Sequence, residues 1–164
     1  MYKDTLILLG GLPGSGKSTY AEKLKKEKDA ILLWPDYWAR YLVEDIHDKE
    51  EYHRIRTKVK ELFFEMIPQL LHGGTTVIIE RGFYKKKDRE LYLNTAKERD
   101  ADVELYFFDL PLHILWERLE KRNNDLPAGA IPVSFEELKH WSESLEVPNE
   151  EELKMYDNWK IIKS

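Results

Sequence analysis

The sequence predicts an α/β fold, a three-layer sandwich in which a five-stranded parallel sheet is covered by helices on both faces. Three observations predict it. Five short apolar runs, Thr5 to Leu9, Ala30 to Trp34, Thr75 to Ile79, Val103 to Phe108 and Trp159 to Ile162, lack polar alternation, as strands buried on both faces do. Stretches of helical character separate them. Directly behind the first run, Gly11 to Ser18 reads Gly-Leu-Pro-Gly-Ser-Gly-Lys-Ser, a full match to G-x-x-x-x-G-K-[ST].

That motif is a phosphate-binding loop. Gly11, Gly14 and Gly16 let the main chain bend around an anion without Cβ clashes, so backbone N–H groups converge on the phosphates. Gly11, Pro13, Gly14, Ser15, Gly16, Lys17, Ser18 and Thr19 are therefore the expected cofactor-binding residues, for a nucleoside triphosphate carrying Mg²⁺. Lys17 reaches the β- and γ-phosphates as a catalytic cation, and the Ser18 hydroxyl is a metal ligand. The helix starting near Gly16 turns Tyr20, Ala21 and Leu24 to one side and aims its positive dipole end at the phosphates.

After the second run comes Pro35-Asp36-Tyr37-Trp38-Ala39-Arg40. Asp36 falls at the carboxyl edge of the sheet, where open α/β folds bind ligands, and a carboxylate there can take a proton from an acceptor hydroxyl. The competing role is to N-cap a helix beginning at Tyr37. Trp34, Tyr37, Trp38 and Tyr41 gather around Asp36 and predict a pocket that stacks on a ring.

The next helix is predicted over Glu51 to His72, with Ile55, Val59, Leu62, Met66 and Leu70 as its core stripe. Pro68 should kink it, and Gly73-Gly74 stops it. Glu80 ends the third strand, the usual place to hold Mg²⁺ opposite the loop hydroxyl. Asp109, ending the fourth strand, competes, but Asp109-Leu110-Pro111 also reads as a helix start, which favours Glu80. Arg81 either pairs with an acidic neighbour or faces the acceptor. Lys85 to Lys87 read as the solvated first turn of a helix over Tyr84 to Arg99.

In Pro111 to Asn123, Ile114, Leu115 and Leu119 face the core, while Arg118 and Arg122 share another face beside Asn124 to Gly129. The region from about 118 to 133 is the expected lid. Two guanidinium groups there neutralise charge on a departing γ-phosphoryl group; the plainer reading pairs them with Glu117 or Glu120 on the surface.

Composition narrows the partners. The chain has 164 residues and 42% hydrophobic content, enough for one domain over residues 1–164 with its own core. Without cysteine there is no disulfide or thiolate site, which suits a reducing cytoplasm. The Met-Tyr-Lys-Asp start leads straight into the first strand, so neither export nor membrane insertion is expected. Acidic residues outnumber Lys and Arg by 31 to 26, and no basic stripe is present to track long nucleic acid.

With these residues in hand, the chain resembles the small P-loop kinases often labelled AAA family ATPases, relatives of polynucleotide 5′-kinases, zeta toxins and chloramphenicol phosphotransferases. The matching segments are Gly11 to Thr19, Pro35 to Trp38, Glu80 to Phe83 with Asp88-Arg89, Leu115 to Leu119 through Arg122-Asn123, Leu126 to Gly129, and Leu145 to Glu151. The resemblance implies a nucleoside-kinase-like P-loop NTPase fold with an arginine-bearing lid, ATP with Mg²⁺, and phosphoryl transfer to a hydroxyl. It also implies that Leu145 to Pro148 line the adenine. The chain departs from the group at two points: Glu80 stands where many relatives carry Asp, and the Asp-x-x-Arg pair of polynucleotide kinases becomes Asp36 and Arg40, one residue longer. The expected activity is an ATP-dependent transfer to a small hydroxyl-bearing molecule. A polynucleotide 5′-kinase or a non-catalytic nucleotide switch are the alternatives.

Overall fold

The structure is a computed structural model that describes residues 2–127 and 130–164. Ala128 and Gly129, within the expected lid, lie outside the described residues. All five apolar runs form strands: β1 (Thr5–Gly11), β2 (Ile31–Leu33), β3 (Thr76–Glu80), β4 (Asp102–Phe108) and β5 (Asn158–Ile162). They pair in parallel in the order β2-β3-β1-β4-β5, which leaves β1 and its following loop at the centre.

The side chains of β1 divide between two cores, as the two-residue period of a strand requires. Leu6 and Leu8 pack with Val77, Ile79, Leu105 and Phe107 under helices α3 (Lys49–Leu70) and α4 (Lys86–Lys97). Ile7 and Leu9 pack with Ile78 and Tyr106 under α1 (Lys17–Lys28). A third apolar cluster joins Leu12 and Phe108 to α5 (Leu112–Asn124) and α6 (Phe135–Ser144). The edge strand β5 is more open than its apolar sequence implies, with Trp159 47% exposed. Among the described residues no helix is long and apolar enough to cross a membrane.

Two sequence expectations need correction here. Helix α2 (Pro35–Leu42) starts two residues before Tyr37, with Trp34 at its N-cap position and no capping side chain, so Asp36 sits inside the first turn and is not a cap. The buried residues of α3 are Tyr52, Val59, Phe63 and Ile67; Ile55, Met66 and Leu70 only flank them, and Leu62 is 56% exposed. The helix rolls toward the aromatic side of its surface because Phe63 and Ile67 bury more apolar area against the sheet than Leu62 would. Pro68 lies within the last turn, two residues before α3 ends. Helix α6 and the short α7 (Glu150–Leu153) add to the elements read from the sequence. The signal for α6 was present: Ser134 and Glu137 form a reciprocal capping box at its start.

The loop between β3 and α4 is held with unusual firmness. Phe83 adopts φ 49°, a left-handed conformation that an aromatic residue adopts only under constraint. Its carbonyl accepts a 2.7 Å hydrogen bond from Nη1 of Arg89, a side chain with no solvent exposure. The same guanidinium donates from Nε and Nη2 to both carboxylate oxygens of Glu152 in α7, at 2.6 and 2.8 Å. Replacing Arg89 by Met should therefore strand the Glu152 charge in the interior and destabilise the protein by about 3–5 kcal/mol. In urea denaturation, the Arg89→Met, Glu152→Met pair should recover most of that loss; additive losses would show that the ion pair is not the main constraint.

Candidate active site

The phosphate loop is built by the end of β1 and the start of α1. Gly11 has φ 133°, and a Cβ there would lie 2.6 Å from the Phe108 carbonyl oxygen, so only glycine fits. Gly16 takes φ 97° at the N-cap position of α1. Lys25, Lys26 and Lys28 complement the dipole in the last turn of α1, while the first turn carries no acidic side chain and leaves the positive end of the helix open to an anion. Among the described residues, no N–H from Gly14 to Thr19 donates to a backbone carbonyl. The buried Ser15 hydroxyl has no partner either. Unpaired donors gathered at a helix N-terminus fit a polyphosphate.

Two hydrogen bonds lock β3 beside this loop. The Arg81 amide donates to the Leu9 carbonyl at 3.2 Å, and the Gly11 amide to that of Gly82 at 2.9 Å. Glu80 is thereby brought under the loop, 2% exposed, and accepts from the Ser18 hydroxyl at 3.4 Å. Burial pushes its carboxyl up to about 7, against the opposing pull of the Lys17 charge. Lys17 is itself buried, which lowers its pKa, and its ammonium donates to the Leu12 carbonyl at 2.9 Å. A cation, a hydroxyl and a carboxylate of this kind fit a nucleotide carrying Mg²⁺. Asp109 forms no part of the group: its amide donates to Ile162 and it does not line the cavity.

The loop opens into a cavity of about 650 Å³. It brings together the loop residues Pro13 to Thr19, Glu80, Asp36, Arg118 and Arg122, which were distant in sequence. The Arg118 Nη1 donates to the Gly14 carbonyl at 3.4 Å. Arg122 has a buried Nε without a partner. Neither arginine makes an ion pair among the described residues; Glu117 is taken by Lys121 at 3.1 Å. Two described parts of the expected lid are hydrogen-bonded: Asn123 exchanges two hydrogen bonds with Val133, and the Arg40 Nε donates to the Ala130 carbonyl at 3.2 Å.

Asp36 is partnered by Arg56 of α3, while Arg40, four residues on in the same helix, turns to the Ala130 carbonyl. Burial alone would raise the Asp36 carboxyl, but the Arg56 guanidinium, helped by Lys17, brings it below its ordinary value, so it is a carboxylate at neutral pH. Of the four aromatics expected around it, Trp34 and Tyr37 line the cavity. Trp38 and Tyr41 continue the edge-to-face row outward, 44% and 73% exposed. Tyr52, His53, Arg56, Tyr84 and Trp141 also line it and were not singled out in the sequence. Arg56 had one legible signal, a charge placed four residues after the buried Tyr52 and three before the buried Val59. Leu145 to Pro148 do not line the cavity; the Glu146 amide donates to the Tyr84 carbonyl at 2.7 Å and its carboxylate binds the Lys86 amide, which ties this stretch to the β3–α4 loop. Lys85 and Lys86 are paired with Glu146 and Glu90. Arg81 lies 4.0 Å from Asp88 and stacks over Phe83 and Tyr92.

Fold and site define a P-loop domain in which a phosphate loop, two arginines of α5 and a separate carboxylate share one cavity. The chain belongs to the AAA domain family, whose sequence profile matches residues 6–148. L-seryl-tRNA(Sec) kinase of Methanococcus maripaludis is 28% identical over 146 residues, 81% of this chain. This chain spans 52% of that relative's length. Two solved structures share the fold. Gluconokinase from Sinorhizobium meliloti 1021 matches with TM-score 0.65 and 17% identity over 99% of this chain and 84% of its own. Chaetomium thermophilum Kti12, in complex with ADP-AlF3, matches with TM-score 0.69 and 17% identity over 96% and 88%.

The Glu80 shift has a measurable consequence. A carboxyl raised in the folded state stabilises the fold at low pH, and that contribution is lost as pH rises from its ordinary 4.5 to about 7. Nucleotide-free Glu80→Gln should lack this decline, so its melting temperature should gain on the wild type between those pH values. Parallel profiles would show that Glu80 is not a raised, buried acid.

Proposed function

We propose that the protein is an ATP-dependent phosphotransferase acting on a hydroxyl of a small molecule. The observation that carries this reading is the placement of the ionised Asp36 in the same cavity as the phosphate loop, the lid arginines and a set of aromatic side chains. A nucleotide switch has no need of a second carboxylate facing an open, ring-lined space. The family match supports nucleotide binding, and the kinases among its relatives support transfer.

In this reading the amides of Gly14 to Thr19 bind the ATP phosphates and Lys17 exchanges the Leu12 carbonyl for β- and γ-phosphate oxygens. Ser18 and Glu80 would hold Mg²⁺, which when bound neutralises phosphate charge. Asp36 orients the acceptor hydroxyl and takes its proton as the oxygen attacks the γ-phosphorus. The bond from that phosphorus to the β–γ bridging oxygen breaks, with its electron pair leaving on ADP. Arg118 and Arg122 stabilise the charge spread over the transferred group. Buried in part and lacking a partner on Nε, Arg122 is the better placed of the two. A second reading rests on the L-seryl-tRNA(Sec) kinase relative: the acceptor hydroxyl then sits on an RNA-linked aminoacyl group.

Asp36→Asn should lower acceptor-dependent turnover by about 10²–10⁴-fold while leaving ATP binding unchanged, measured by coupled assay and calorimetry. Equal turnover would remove Asp36 from the chemistry. Arg122→Ala should reduce kcat by about 10³-fold with a much smaller change in ATP affinity, and Arg122→Lys should restore only part, since an ammonium lacks the planar fork. Both belong in assays offering small alcohols beside oligonucleotides and seryl-tRNA; turnover with the nucleic acids alone would establish the second reading.

A further inference from the structure

The cation inventory of the cavity exceeds what a nucleotide needs. Lys17, Arg118 and Arg122 lie with the phosphate loop, but Arg56 stands on α3 on the far side of Asp36. Its side chain makes one hydrogen bond to the described residues, from Nε to Asp36 Oδ1. Its two terminal NH₂ groups have no protein partner among those residues, and Arg56 lines the cavity. A guanidinium presents a planar fork matched to the paired oxygens of a carboxylate or phosphate, and here most of that fork is unused. Lys60 follows one turn later on the same helix, half-buried and without an ion pair among the described residues.

Building on the phosphotransferase reading, we propose that the acceptor is an anionic alcohol, a small hydroxyl compound bearing a carboxylate or phosphate group, and that Arg56, backed by Lys60, binds that anion. Three physical points support it. A neutral sugar or polyol needs hydrogen-bond acceptors and rings, and offers nothing to a second buried-side guanidinium. Burial and the nearby Arg56 and Arg81 depress the Lys60 ammonium to about 8, a crowding of cations that a bound anion relieves. An Arg56 held on Asp36 also weakens Asp36 as a base. An acceptor anion that draws the guanidinium toward itself leaves the carboxylate less neutralised, and so a better proton acceptor, only when the substrate is in place. Arg56 acts in this scheme on substrate binding and on the positioning of Asp36.

The test uses the full chain with ATP and Mg²⁺ and matched acceptors: a polyol or sugar, its carboxylic acid and its monophosphate. The wild type should prefer one of the anionic forms by at least about 100-fold in kcat/KM, and which form wins separates carboxylate from phosphate recognition. Arg56→Met should shrink that preference to below about tenfold, chiefly through KM, and Arg56→Lys should keep part of it. Lys60→Met, at a site that does not line the cavity, should raise KM for the anion several-fold. Equilibrium binding of the preferred anion to the ADP-loaded protein should weaken in the same order, with ATP affinity and melting temperature reporting that each variant is folded. Wild-type preference for the neutral form, or an unchanged preference in Arg56→Met, would overturn the anionic assignment and leave the phosphotransferase reading standing. Turnover with no alcohol of either kind would overturn both.

Discussion

Arg89 has no contact with solvent, so its charge has to be met inside the protein, and the way it is met ties three parts of the chain together. Glu152 supplies the countercharge from α7, the Phe83 carbonyl supplies a third acceptor from the β3–α4 loop, and the Phe107 ring lies 5.4 Å from the guanidinium carbon. A buried ion pair of this kind gains little over an apolar substitute, but it is costly to break and it permits few geometries. Its effect is therefore on shape. Phe83 stays in its left-handed conformation, and the loop leaving Glu80 is held in one path.

The site inherits that rigidity. Glu80 and the phosphate loop are joined by backbone bonds that extend the β1–β3 ladder beyond the end of β3, from the Arg81 amide to Leu9 and from the Gly11 amide to Gly82. The Glu80 backbone therefore cannot move away from the loop without opening the centre of the sheet. The opposite wall is built from side chains: α2 meets α3 through the Asp36–Arg56 pair and a buried cluster of Ala39, Val43, Tyr52 and Ile131, and residues 130 and 133 are tied to Arg40 and Asn123 by hydrogen bonds. One side of the cavity is thus fixed by the sheet and the other by side-chain packing and pairing between helices.

Much of the architecture was legible because it rests on local signals. Each strand is a short, mainly apolar run, broken inside β4 only by Glu104 and inside β5 only by Lys160, and Gly11, Gly14, Gly16, Lys17 and Ser18 have a spacing that suits one task. What was misread depended on competition between similar alternatives. On α3, Leu62 and Phe63 are adjacent apolar residues, and a helical period does not choose between them; contact with β1 and β3 does. Asp36 and Arg40 share a helical spacing that invites pairing, yet Arg40 is drawn to Ala130 and Asp36 to Arg56, twenty residues on. The capping box at Ser134 was a local signal that went unread, whereas the tie between Glu146 and Lys86 had none.

The sequence by itself determined the parallel sheet and the phosphate-binding loop motif of Gly11 to Thr19, because these depend on hydrophobic period and glycine conformation, which are properties of neighbouring residues. Only the tertiary structure decided that this loop stands at the centre of the sheet, that Glu80 and not Asp109 meets Ser18, that Arg56 and not Arg40 faces Asp36, and that Tyr52, Tyr84 and Trp141 line the same cavity. Those are meetings between residues far apart in the chain. They are set by strand order and helix roll, and no local pattern encodes which distant side chain will arrive.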